Sequence, residues 1–336
     1  MPGEIWNEFV SSQSGHHVLQ TKAWGELKRN FGWDYDQVLL QDDAGAQVLY
    51  RWFPSAQVPI TRWASMAYIP KGPLVDWNDP DKTESLLSSL IQRARQNRAI
   101  LLRLEPALEY ENKHVRELLV ARGFQESKAI QPQRTLVVDI SGDEDSILSR
   151  MKSKTRYNIR LARRKGITVR LGDSSDVHAF SVLMLETGNR AQFGVHSEEY
   201  YRAAWELFAP NDHVALLLAE YEGELLAGIM VFAVGNTAWY FYGASSHRHR
   251  QLMPTYLLQW EGIRWAKSRN CTLYDLWGVP DADEEELEAR FTKRSDGLWG
   301  VYRFKRGFGG ELVRWMGAYD LVLNPVLYSL AAPLLR

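Results

Sequence analysis

The chain has 336 residues, more than one hydrophobic core usually organises, so two domains are expected. Hydrophobic residues at 45% and charged residues at 24% exclude a disordered or collagen-like chain. Forty Lys and Arg against 41 Asp and Glu leave a net charge of −1, so any contact with nucleic acid or phosphate must come from local clustering. Cys271 is the only cysteine, which excludes an intrachain disulfide and a Cys-based zinc cluster and favours a reducing cytoplasm.

Met1–Trp6 lacks the basic start and apolar run of a secretory signal. Gln37–Leu40 and Gln47–Phe53 flank Asp42-Asp43-Ala44-Gly45 and predict a hairpin. An apolar strand over Ala64–Tyr68 follows, then a helix with Leu86, Leu87, Leu90 and Ile91 at helical spacing, then a buried strand over Ile100–Leu104. Thr135–Ile140 reads as a further strand. The second half repeats the order: a hairpin of His213–Tyr221 and Leu225–Val234 around Glu222-Gly223-Glu224, a strand over Thr237–Tyr242, a helix through Leu257, Leu258, Gly262 and Trp265, and a strand over Leu273–Trp277. This duplication predicts an α/β (α+β) fold of two units, each a mixed sheet flanked by helices. The expected domains are 1–148 and 149–318, with 319–336 as a C-terminal helix packing back on the first. That tail is too short and too interrupted by Asn324, Pro325 and Pro333 to span a membrane.

Between Arg150 and Arg170 stand nine basic residues and no acid. On a helix over about Ser146–Arg164, Arg156, Arg160, Arg163 and Arg164 form a cationic face, suited to phosphates or merely solvated and neutralised by acids elsewhere. Tyr302–Glu311 interleaves cations, aromatics and glycines; it reads either as a ligand-facing segment or as a strand ending in a glycine turn. Lys71-Gly72-Pro73, with Asp76 beyond, is a turn or a binding lip. Asp281–Glu286 reads as a solvated helix start, Trp260 and Trp265 as core, and Cys271 as packing. The spacings of His16, His17, His247 and His249 match no catalytic zinc site, and no metal or cofactor is expected.

The repeated hairpin, strand, helix, strand unit resembles the GNAT superfamily of N-acyltransferases. In that superfamily a glycine-rich loop at a helix N-terminus holds the coenzyme A pyrophosphate. The matching place here, Arg250–Thr255, has no glycine and contains Pro254, which removes a donor. Acetyl-coenzyme A is therefore not the expected donor.

Trp24-Gly25-Glu26-Leu27-Lys28, Pro70-Lys71-Gly72-Pro73, Lys154–Arg160 with Lys165-Gly166, Tyr242–Ser246 and Phe304–Gly310 together resemble the Fem family of peptidoglycan bridge-forming peptidyltransferases. The signals run from about residue 20 to 323, in the manner of the compact members without a coiled-coil arm. The resemblance implies two tandem GNAT-like acyltransferase domains, the first binding the acceptor and the second facing tRNA. It implies transfer of an amino acid from aminoacyl-tRNA to the stem-peptide amine of a peptidoglycan precursor, UDP-linked or lipid-linked. That would occur in the cytoplasm, with peripheral association at the inner face of the membrane a further expectation.

Carried over residue by residue, the resemblance places Lys28 on the acceptor diphosphate, with His196 where the family has arginine and Tyr200 completing that site. Lys71 and Asp76 line the acceptor pocket, and Tyr240 and Tyr242 stand near the reacting centre. Phe304 and Lys305 lie against the tRNA acceptor end. The implied catalytic set is Lys305, Phe304, Tyr242 and Asp76, and Lys154, Arg156, Arg160, Arg163 and Arg164 are candidates for tRNA contact. Two alternatives stay open: another GNAT-like N-acyltransferase acting on exopolysaccharide or protein N-termini, and a non-catalytic nucleic-acid or polysaccharide-binding module.

Overall fold

The computed structural model describes residues 2–41, 43–53, 64–294 and 296–331. The chain divides into two compact units, residues 1–133 with 314–336, and residues 134–313.

The first unit begins with helices α1 (Pro2–Ser12) and α2 (Lys22–Arg29) and the hairpin β1 (Asp34–Leu40) and β2 (Ala44–Trp52). It continues with β3 (Ser65–Pro70), α3 (Pro80–Gln96), β4 (Ala99–Glu105), α4 (Lys113–Ala121) and β5 (Gln125–Ser127). Asp79 starts α3 by accepting the Lys82 N–H at 3.0 Å, with Pro80 in the first turn where its missing donor costs nothing. Leu86, Leu87, Leu90 and Ala94 then share the face buried on the sheet. Every residue of β4 is buried, which is why Ala99–Leu102 is apolar throughout.

The second unit comprises β6 (Arg134–Asp139), α5 (Glu144–Arg150), α6 (Ser153–Arg164), β7 (Thr168–Leu171), α7 (Val177–Ala191), α8 (Glu198–Phe208), β8 (Val214–Tyr221), β9 (Glu224–Val234), β10 (Thr237–Ser245), α9 (Pro254–Ser268), β11 (Leu273–Val279), α10 (Glu284–Arg290), α11 (Leu298–Lys305) and β12 (Glu311–Arg314). The chain then returns to the first unit through β13 (Ala318–Val322) and α12 (Pro325–Ala331). The sheets run β1-β2-β3-β4-β13-β5 and β12-β6-β11-β10-β9-β8-β7.

Four expectations need correction. The units part after Gln133 rather than near 148, because β6 pairs antiparallel with β11 and so belongs to the second sheet. The segment from 319 opens as a strand: β13 inserts beside β4, where Asp320 and Arg103 form a buried pair with two 2.7 Å hydrogen bonds. The helix expected to Leu335 is described only to Ala331, and 332–336 lie outside the described residues. The single helix over Ser146–Arg164 is two helices, broken at Met151 and Lys152, both extended.

The break and the glycines of Gly307-Phe308-Gly309 explain one another. Lys152 N–H donates to Gly307 O at 2.9 Å, and a Cβ on Gly309 would strike the Arg150 carbonyl. Gly309 also has φ +79°, a region side chains rarely tolerate. Tyr302–Gly310 is therefore the end of α11, a 3₁₀ turn over Arg306–Phe308 and a left-handed glycine, in place of the strand considered from sequence. Gly309→Ala is expected to destabilise the second unit by roughly 2 kcal/mol in urea titration, through strain and the clash at the α5–α6 elbow. Asp283 caps α10 as the acidic run suggested, and Trp260, Trp265 and Cys271 are buried in the core.

The two units differ at one place that matters. In the first, the parallel pair β3 and β4 runs from Ser65 opposite Ala99 to Pro70 opposite Glu105. In the second, the equivalent pair β10 and β11 stops after Thr237–Trp239 against Leu273–Asp275. Beyond that point both strands are irregular, β10 between Tyr240 and Tyr242 and β11 between Asp275 and Gly278.

Candidate active site

The opening where β10 and β11 part is lined by aromatic rings and closed by a buried lysine. Lys305, the last residue of α11, is only 5% exposed and donates from Nζ to Gly278 O at 2.8 Å. Its Nζ lies 5.7 Å from the centre of the Tyr240 ring. Burial lowers its pKa to about 7, with Asp275 acting in the opposite sense, so near neutral pH the lysine is divided between ammonium and amine. Tyr240 folds over Gly243, where a Cβ would collide with its hydroxyl; this accounts for the glycine in Tyr242–Ser246. Burial pushes the Tyr240 phenol up to about 12, so it stays protonated and able to donate.

The bulge at Phe241 sends Tyr240 and Tyr242 to different partners, because Tyr240 pairs with Val231 and Tyr242 already with Met230. Tyr242 donates to the Tyr200 hydroxyl at 3.3 Å and meets the Tyr201 ring edge-on at 5.3 Å. The exposed His196 ring stacks on Tyr200 at 3.8 Å and 11°, and its backbone N–H donates to the Tyr201 hydroxyl at 3.3 Å. Thus His196, Tyr200 and Tyr242 come together as one group, whereas the phenol facing Lys305 is Tyr240. Phe304 sits half-buried against Tyr256 (5.0 Å) and Phe308 (5.1 Å).

Lys28, Lys71 and Asp76 lie in the first unit. Lys28 Nζ is 4.6 Å from the Trp24 ring, and burial, followed by the Arg51 charge, lowers its pKa to about 8. Lys71 is buried at the end of β3 with φ +51°, its Nζ 4.3 Å from the Trp315 ring. It helps line a narrow crevice with Glu105 and Gln131. Asp76 is exposed, and its Oδ1 accepts both the backbone N–H and the side-chain amide of Asn78 at 3.0 and 3.2 Å.

The cationic set on α6 divides. Arg156 turns back to the carbonyls of Ser149 and Met151, closing α5, and Arg163 pairs with Glu261 at 2.7 Å. Lys154, Arg160 and Arg164 are exposed and make no ion pair among the described residues; Tyr157, 55% exposed, stands on the same face.

Sequence reasoning missed Asp275 and Trp277. Asp275 is 3% exposed, and its Oδ1 accepts the Trp277 N–H at 2.7 Å across the irregularity in β11. Trp277 has φ +64° and packs its ring 4.5 Å from that of Phe241. The signal was an aspartate inside the apolar run Leu273–Trp277, where a buried charge needs a reason. Met253, left-handed at φ +58°, and Pro254 open α9, and Pro254 offers no N–H in the first turn.

Two mixed sheets built on one repeated order, with a gap between parallel strands in the second, define a duplicated GNAT-like acyltransferase fold. A tandem GNAT protein from the clavulanic acid biosynthesis pathway shares it, with a TM-score of 0.52 at 12% identity over 86% of this chain and 83% of that one. A crystal structure of FemX superposes with a TM-score of 0.87 at 21% identity, covering 98% of both chains. The lipid II:glycine glycyltransferase of Staphylococcus epidermidis is 24% identical over 399 aligned positions, covering 96% of this chain and 92% of the relative. That alignment exceeds the length of this chain, so the relative carries insertions absent here. The FemAB family model matches residues 2–224 and 220–335. The chain belongs to the FemAB family and is an aminoacyltransferase. Among the described residues no helix is long and apolar enough to cross a membrane.

Proposed function

We propose that the protein transfers an amino acid from aminoacyl-tRNA to the side-chain amine of a peptidoglycan precursor's stem peptide, forming part of an interpeptide bridge. The observation that carries this reading is the buried Lys305, held on Gly278 O beside Tyr240 where β10 and β11 part. The relative acting on lipid II favours a lipid-linked acceptor over a UDP-linked one.

An aminoacyl ester is already activated, so positioning and charge stabilisation carry the catalysis. The acceptor amine attacks the ester carbonyl and forms the new C–N bond. The bond from the carbonyl carbon to the ribose oxygen then breaks, and the amine's proton ends on that oxygen. Lys305, as ammonium, donates to the oxyanion, and Tyr240 is the phenol placed to support it. Phe304, half-buried, packs against a terminal base of the tRNA. Within the first unit Lys28 binds the acceptor's phosphates, Lys71 and Asp76 line the acceptor pocket, and Asp76 orients its ammonium; within the second, Tyr242 holds Tyr200, on which His196 stacks, as a polar group for substrate.

Tyr240→Phe is expected to lower kcat about tenfold, whereas Tyr242→Phe raises KM for the acceptor several-fold and leaves kcat near that of the wild type. Steady-state kinetics with purified acceptor separates the two, and equal effects of both variants on kcat would remove this division of labour. The function itself is tested by incubating the protein with labelled aminoacyl-tRNAs and a panel of acceptors. Label on a muropeptide supports the reading; label on protein or sugar, or binding without transfer, counts against it.

A further inference from the structure

We infer that Asp275 is the positioning residue of this site: it ties the bulge that presents the Gly278 carbonyl to Lys305 and faces the lysine with a negative charge. The inference rests on the reading of Lys305 as the lysine at the reacting centre.

The geometry is local and specific to the second unit. The ladder between β10 and β11 ends at Asp275, and the pairing of β11 with β6 skips from Asp275 to Gly278. Across that gap the Asp275 carboxylate accepts the Trp277 N–H at 2.7 Å, supplying the partner that the interrupted ladder withdraws. Trp277 is thereby held at φ +64°, a conformation that bulky residues seldom adopt. The next residue, Gly278, turns its carbonyl to Lys305 Nζ at 2.8 Å. In the first unit the corresponding strand, β4, shifts register only at its start, between Ser65 and Met66, and then pairs with β3 in register from Leu101 to Glu105, so the repeat alone does not place a bulge at this end.

The electrostatics agree with this placement. Asp275 is the charge that raises the proton affinity of Lys305 against burial. From β10 the lysine meets the Tyr240 ring, its Nζ 5.7 Å from the ring centre. Glu288, the acid of α10 near the end of α11, is engaged by Arg306 and by the Tyr302 hydroxyl. A carboxylate at position 275 thus serves two ends, backbone geometry and retention of the lysine's proton.

Asp275→Asn and Asp275→Ala separate these ends, since asparagine keeps an oxygen for the Trp277 N–H and loses only the charge. Lys305 in the full-length protein is labelled by reductive methylation with formaldehyde and borane across pH 5 to 10 and quantified by mass spectrometry, with transfer rates measured in parallel. In Asp275→Asn the labelling midpoint of Lys305 is expected to fall by about one pH unit while other lysines keep theirs, and turnover to approach the wild-type value at the acid end of the profile. Asp275→Ala is expected to lose about 100-fold in turnover at every pH. An Asp275→Asn midpoint equal to the wild type's, or wild-type turnover in Asp275→Ala, overturns the inference. The labelling needs no substrate: a shifted midpoint without transfer from any aminoacyl-tRNA sustains the coupling and sinks the aminoacyl-transfer reading instead.

Discussion

Lys305→Met is expected to lower turnover by roughly 10²- to 10³-fold, the usual cost of losing one oxyanion donor, while making the protein more stable. The two effects share a cause. Burial brings the folded-state pKa of Lys305 to about 7, below the ordinary lysine value of about 10.4 in the unfolded chain. Between those values the unfolded chain binds the extra proton, so the stability of the wild type rises with pH across that window. Below pH 7 the folded protein carries the full cost of a buried ammonium. Methionine removes it, and a gain of about 2 to 4 kcal/mol is expected there, reduced by the lost hydrogen bond to Gly278 O. The gain should shrink as pH rises from about 7 toward 10. Paired urea titrations of wild type and variant at pH 6 and pH 9.5, with turnover at pH 7, check both halves. Retained turnover would remove Lys305 from the mechanism, and a variant less stable than wild type at pH 6 would contradict the account of its burial.

Reversing three charges on α6, Lys154→Glu, Arg160→Glu and Arg164→Glu, is expected to weaken tRNA binding about 100-fold at low salt. The dependence of log affinity on log salt should become shallower by about 2 to 3, as for the loss of three phosphate contacts. These residues point outward without intramolecular ion pairs among the described residues, so the fold should tolerate the change. Turnover with a short aminoacylated fragment of the tRNA 3′ end should fall less than turnover with the whole tRNA, since such a donor lacks most of the phosphates. Arg156→Ala is expected to behave differently, costing stability because its guanidinium closes the end of α5. Unchanged affinity and salt slope in the triple variant would assign the cationic face to solvation.

The duplicated fold was legible because each unit is built from strong, local signals. The runs Ile100–Leu104 and Leu273–Trp277 are buried strands, and Leu86, Leu87, Leu90 and Ile91 at helical spacing lie on α3. What stayed hidden depends on partners remote in sequence. Nothing in Ser146–Arg164 shows that the helix breaks at Met151, because the break is held by Gly307 and Gly309, some 150 residues on. Likewise β13 joins the first sheet only through its pairing with β4 and the Arg103–Asp320 pair. The candidate site was legible mainly through resemblance: Phe304-Lys305 and Tyr240–Tyr242 were named, but their arrangement follows from two strand irregularities that no periodicity reveals. The bulge at Phe241 decides that Tyr240 meets Lys305 while Tyr242 joins His196 and Tyr200. Asp275 carried a signal of its own, a carboxylate in a buried run, whose meaning became clear only with the left-handed Trp277 beside it.

The central claim is that this aminoacyltransferase takes its amino acid from tRNA and delivers it to a cell-wall precursor. The most direct measurement supplies purified protein with a mixture of charged tRNAs and lipid II, with the UDP-linked muropeptide in a parallel reaction, and follows the acceptor by mass spectrometry. The account predicts a mass increase of one amino-acid residue on the stem-peptide amine that depends on charged tRNA and on Lys305. No mass change with any charged tRNA, or an equal product when acyl-coenzyme A replaces tRNA, would contradict it.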